Sequence, residues 1–124
     1  MKQTKQGHLA RFGPAAKNSW AGLKAAYKHE IAFRQYVCFA VILLPIAWFI
    51  SAGFTEFAIL ISALFLIIIA ELLNSGIEAA VDRIGLEHHE LSGRAKDLGS
   101  AAVFIAIFYF LIVWGYKLVL YFNY

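Results

Sequence analysis

The sequence predicts an all-α integral membrane protein: three transmembrane helices and an N-terminal amphipathic helix lying in the membrane surface. Three observations predict it. Apolar residues make up 61% of the 124 and charged residues only 15%, against roughly 45–50% and about 25% in ordinary soluble chains. A chain this short cannot bury so much apolar surface in a water-soluble core of its own, so lipid acts as solvent for much of it. The apolar residues are also gathered into separate runs, and a few segments crossing hydrocarbon can satisfy their backbone groups only as helices. Finally, the basic residues are concentrated ahead of the first run. Lys2, Lys5, Arg11, Lys17, Lys24, Lys28 and Arg34 precede it, with Glu30 the only acid among them. This asymmetry fits the positive-inside rule and contact with anionic headgroups. It argues for no nucleic-acid partner, because the rest of the single domain, residues 1–124, is membrane material.

The surface helix is expected over about residues 16–33. Trp20, Leu23, Tyr27 and Ile31 fall on one helical stripe, with Lys17, Lys24 and Lys28 on a flank and Glu30 on the other. The apolar face of such a helix rests in the lipid while its lysines meet the headgroups. The first span, about 34–53, contains "YVCFAVILLPIAWFISAG" with Pro45 inside it, a residue that can kink a helix. It begins too far from the N-terminus for a cleavable signal peptide and is expected to stay as an anchor. Cys38 is the single cysteine, a small apolar residue within the span.

The second span, about 56–83, starts with "FAILISALFLIIIA", which is too short to cross alone and must continue through "ELLNSGIEAAVDR". The third, about 92–119, carries Ser92 as its expected N-cap, with Trp114 and Tyr116 as interfacial anchors. The short link "SAGFTE" makes a helical hairpin of the first two spans. The charged link "DRIGLEHHELSGRAKD" should lie on the side of the basic N-terminus. The expected orientation is thus N-terminus cytoplasmic and C-terminus outside.

Glu71, Asn74, Glu78 and Asp82 raise the question of function. At about 100° per residue they project within roughly 80° of one another, leaving Leu72, Leu73, Ile77 and Val81 on the other faces. Glu71 follows an uncharged run, 57 to 70, where an ionised carboxylate costs several kcal/mol unless it is compensated. Three readings compete. The stripe can pair with bases elsewhere and glue subunits together; it can bind and pass a cation or proton; or it can do chemistry on a lipid headgroup. For the last, two carboxylates a turn or two apart can hold a divalent metal while a deeper one acts as general base.

The following link favours chemistry. Arg94, Lys96 and Asp97 are expected in the first turn of the third helix, and a helix N-terminus beside basic residues is a natural phosphate site. His88 and His89 are adjacent and make a poor chelating pair, leaving solvated loop or nucleotide contact. The sequence has no phosphate-binding G-x-x-x-x-G-K-[ST] loop, kinase catalytic-loop signature or dinucleotide fingerprint. Any nucleotide must then be held by side chains and helix ends.

"ELLNSGIEAAVDRIG" followed by "HELSGRAKDLGSAAV", with "SWAGLKAAY" and "HEIAFRQ" before them, resembles the small bacterial integral-membrane diacylglycerol kinases from about Arg11 to Trp114. The resemblance implies a homotrimer of three-span subunits that passes the γ-phosphoryl of ATP to the hydroxyl of diacylglycerol, giving phosphatidic acid. It makes Glu71 the catalytic base, and Glu30 and Glu78 the carboxylates holding Mg2+ on the ATP phosphates. Arg11, Glu87, His88, His89, Lys96 and Asp97 join them around the nucleotide. Asn18, standing where members of the family carry an aromatic residue, falls in the same set with no ring to offer. The lipid side is assigned Arg11, Ser19, Trp20, Phe33, Arg34, Gln35, Glu71, Ser100 and Trp114, and Asn74 would orient Glu71 or a substrate. An undecaprenol kinase is the neighbouring alternative; a small cation-conducting or scaffolding membrane protein is the alternative from another class.

Overall fold

The computed structural model describes residues 6–124, which form helices joined by short links. A single turn, α1 (Gln6–Leu9), precedes α2 (Phe12–His29), α3 (Ile31–Ile50), α4 (Phe54–Ile84) and α5 (Glu90–Asn123). Lys2 and Lys5 of the basic lead lie outside the described residues. Three of the helices, α3, α4 and α5, are long and apolar enough to cross a membrane, and the chain is a multi-pass membrane protein.

The boundaries differ from the sequence reading in informative ways. α2 begins at Phe12 rather than near residue 16, because Pro14 falls in its first turn, where a missing backbone N–H costs nothing. It ends at His29 rather than near 33, and Glu30 alone, in an extended conformation, separates it from α3. α3 runs through Pro45 and stops at Ile50, where Ser51 turns both its backbone N–H and its hydroxyl onto the carbonyl of Ala47. The third span starts at Glu90, capped by His89: the N–H of Leu91 donates to His89 Nδ1 at 3.1 Å. Ser92 is therefore inside the helix and not its cap, and Arg94, Lys96 and Asp97 fall in the second turn.

α4 is the central element, packed along α5 and, less extensively, on α3. The contacts set alanines among a few large side chains. Ala40, Ala47, Ala63 and Leu60 pack with Leu64 and Trp114 toward the short-link end, and Ala70, Val103 and Ala106 with Ile67 toward the other. Small side chains let helix backbones approach closely where lipid supplies no hydrophobic drive between them. Many of the large apolar residues point outward, Phe39, Phe49, Leu73 and Phe104 all being exposed. Trp114, expected as an interfacial anchor, is buried: its Nε1–H donates to the carbonyl of Leu60 at 3.0 Å and its ring lies against Phe110. An indole in the interior needs such an acceptor.

Length sets the depth of the polar face. The 31 residues of α4 extend about 46 Å at 1.5 Å per residue, against roughly 30 Å of hydrocarbon. Counted from Phe54 at the start of the helix, a hydrocarbon thickness is crossed in about twenty residues, close to Glu71 and Asn74. Glu78 and Asp82 then project beyond it.

Candidate active site

The face of α4 predicted from periodicity is graded in burial. Glu71 and Asn74 are buried at 6% and 8% exposure, Glu78 is half-buried and Asp82 is exposed. The helical register also pairs these groups with neighbours one turn away. Ser75 Oγ donates to Glu71 Oε1 at 3.4 Å, and Asn74 Nδ2 donates to Glu78 Oε1 at 3.4 Å. The amide of Asn74 is thus turned to Glu78, and the hydroxyl that serves Glu71 is Ser75, a residue the sequence reading passed over although its i+4 spacing was a usable signal.

The other elements close around this face. On α5, Gly99 lies against Asn74 so closely that a Cβ there would collide with Asn74 Oδ1. That oxygen is buried and accepts no hydrogen bond among the described residues. Nearer the link, Lys96 Nζ of α5 pairs with Asp82 Oδ1 at 2.7 Å, within electrostatic reach of Glu78. On the opposite side, α2 and α4 border an open groove of about 700 Å³, lined by Ser19, His29 and Glu30 from α2 and the bend and by Ser75, Gly76 and Ala79 from α4. Glu30 and Glu78 both lie within electrostatic reach of Glu71, as does Tyr36 of α3. Carboxylates from two parts of the chain, Glu30 at the bend and Glu78 on α4, thus come within electrostatic reach of Glu71.

The predicted nucleotide residues are partly gathered. Glu87, His88, His89 and Lys96 line one recess of about 160 Å³ at the α4–α5 link. Asp97 is exposed one position further on, and Arg11 and Asn18 are exposed on α2 and its start. Among the predicted lipid-side residues, Ser19 borders the α2–α4 groove, and Trp20 is exposed on α2. Arg34 and Gln35 border a separate groove of about 420 Å³ with Phe39 and Ile42 below them. Phe33 is buried, Ser100 is exposed on α5, and Trp114 is not brought to the site. It sits against Leu60, eleven residues before Glu71 and so about 16 Å away along α4.

Among the described residues no group of three or more His, Cys, Asp or Glu is placed to hold a metal. Glu30 and Glu78, each within electrostatic reach of Glu71, carry the hard oxygen donors suited to a cation that keeps most of its coordination for water and phosphate oxygens. Mg2+ behaves in that way, binding through one or two carboxylates plus substrate phosphates.

Comparison with known proteins points in one direction. The family model described as prokaryotic diacylglycerol kinase matches residues 17–118. A diacylglycerol kinase of Haemophilus influenzae is 52% identical over 101 residues, covering 82% of this chain and 86% of that protein. One from Escherichia coli strain K12 is 50% identical over 106 residues, covering 86% and 87%. One from Pseudomonas aeruginosa is 46% identical over 110 residues, covering 89% of each.

Proposed function

The chain belongs to the prokaryotic diacylglycerol kinase family, and on that premise we propose that it transfers the γ-phosphoryl group of ATP to the free hydroxyl of diacylglycerol at the membrane interface, giving phosphatidic acid and ADP. The single observation that carries the site assignment is the buried Glu71, set at the hydrocarbon edge beside Glu78 and Glu30. A lipid hydroxyl stays near the interface while ATP stays in water, so the reacting groups meet only at that depth.

Glu71 is the general base. It takes the hydroxyl proton as the oxygen attacks the γ-phosphorus and the bond to the β-phosphate oxygen breaks, and Ser75 steadies the carboxylate through its hydroxyl. Glu30 and Glu78 would hold Mg2+, which would neutralise charge on the phosphates. Asn74 fixes Glu78 through its amide. Lys96, with Glu87, His88 and His89 in the link recess, and with Asp97, Arg11 and Asn18, contacts the nucleotide, trading its ion pair with Asp82 for a phosphate. Ser19, Trp20, Phe33, Gln35 and Ser100 flank the lipid. Little covalent chemistry is asked of the protein: positioning and charge neutralisation suffice for phosphoryl transfer.

The same reading takes the chain as one domain. α2 is an amphipathic helix in the cytoplasmic surface of the inner membrane, and the C-terminus is periplasmic. The active unit is a homotrimer, which covers outward apolar faces and allows Glu30 to come from the same subunit as Glu78 or from a neighbour.

The test is radiolabel transfer from ATP to diacylglycerol in detergent micelles with Mg2+. Glu71→Gln should abolish lipid phosphorylation while leaving assembly and ATP binding intact. Full turnover by that variant would remove Glu71 from the role of base.

A further inference from the structure

The bend that presents Glu30 to the groove has no cause in its own sequence. His29, Glu30, Ile31 and Ala32 include no glycine or proline, and a helix would ordinarily run through them, as the expectation of a helix to about residue 33 assumed. A break without glycine or proline calls for a group that intrudes on the hydrogen-bond ladder, and Arg34 is that group. Its Nη1 donates to the carbonyl of Tyr27 at 2.9 Å and to that of Lys28 at 3.2 Å.

In an uninterrupted helix those two carbonyls would accept the N–H groups of Ile31 and Ala32, four residues on. Arg34 occupies both acceptors, and its positive charge at the C-terminal end of α2 is favoured by the helix dipole. Glu30 is left extended, at φ −110° and ψ 109°. Its N–H still bonds the carbonyl of Ala26 at 2.8 Å, and its carbonyl accepts from the N–H of Arg34 at 3.3 Å. The chain therefore stays ordered on both sides of one non-helical residue, whose carboxylate reaches the α2–α4 groove.

We propose that Arg34 is a positioning residue: by capping Tyr27 and Lys28 it holds the α2–α3 bend and sets Glu30 where it can serve the nucleotide-bound metal. The second half of this inference rests on the reading of Glu30 as a metal carboxylate. Without the guanidinium, the N–H groups of Ile31 and Ala32 recover the two carbonyls, the helix propagates through position 30, and the carboxylate rotates off the groove.

The experiment uses the full chain in detergent micelles, as wild type, Arg34→Met, Arg34→Lys and Glu30→Gln. Amide hydrogen exchange, measured with neither nucleotide nor metal, should slow at Ile31 and Ala32 by about tenfold in Arg34→Met, the worth of roughly one hydrogen bond. Arg34→Lys, which keeps a cationic donor, should recover part of the native rate. Mn2+ binding in the presence of ATP, followed by loss of the free-ion paramagnetic resonance signal, should weaken about tenfold in Arg34→Met, with the KM for diacylglycerol unchanged. Native exchange rates at Ile31 and Ala32 in Arg34→Met would overturn the proposal. So would a raised KM for diacylglycerol with Mn2+ affinity intact, which would make Arg34 a lipid contact. If Glu30→Gln leaves Mn2+ affinity intact, the metal reading of Glu30 fails, and the exchange rates still decide whether Arg34 holds the bend.

Discussion

A methyl group at position 99 would land on the side-chain oxygen of Asn74, so closely does α5 approach the polar face of α4 there. To relieve the clash Asn74 would have to swing away, giving up its bond to Glu78. Two effects oppose each other in Gly99→Ala. Helix propensity favours alanine by roughly 0.5–1 kcal/mol, while overpacking in a tight contact costs about 1–3 kcal/mol. The clash should win, so the variant is expected to lose stability by about 1–2 kcal/mol, with a fall in kcat that Asn74→Ala, by removing the obstructing amide, partly relieves. Thermal inactivation and initial rates of the two single variants and the double variant measure this. A Gly99→Ala protein as stable and active as the wild type would mean that the helices separate there at little cost.

At the scale of elements, α4 and α5 are fastened at two levels. Toward the short link, Glu56 accepts the N–H of Ala52 at 2.9 Å and pairs with Lys117 at 2.6 Å, binding the α3–α4 turn to the end of α5. Just inside, the indole of Trp114 bonds to Leu60. Trp114→Phe removes that donor and leaves space beside the alanines, and should lower stability by about 1–3 kcal/mol. Its distance from Glu71 leaves kcat and the KM for diacylglycerol of the folded protein unchanged. Denaturation with a mixed-micelle unfolding titration, paired with steady-state kinetics, separates the two roles considered for this residue. A raised KM for diacylglycerol at native stability would return Trp114 to the lipid side.

The whole molecule is too thin to account for its own surface. Outward-facing Phe39, Phe49, Phe65, Phe104 and Leu111 can meet either lipid or other subunits, and the α2–α4 groove is open along one side. One of the three carboxylates expected to act as base or metal ligand, Glu30, stands on the bend, while Glu71 and Glu78 stand on α4, so assembly can complete the site either within or between subunits. Native mass spectrometry from detergent should give an active species near three times 13.9 kDa. A monomer with full activity would remove the trimer from the account.

Features that depend only on local spacing and transfer to lipid were legible in the residues alone. The three apolar helices followed from run length, and the shared face of Glu71, Asn74, Glu78 and Asp82 from the helical repeat alone. The charged link that returns Lys96 toward Asp82 was also legible, because a short link between two antiparallel helices has few places to go. Tertiary structure decided the rest, because it depends on which groups meet across elements. The break at Glu30 follows from a guanidinium four residues on, with no local breaker to announce it. The burial of Trp114 depends on a carbonyl 54 residues away, whereas the cap of α5 by His89 rather than Ser92 is a local contact that spacing did not single out. The close approach of Gly99 to Asn74 exists only once α4 and α5 are aligned. Periodicity assigns a residue to a face; only packing says what stands opposite it.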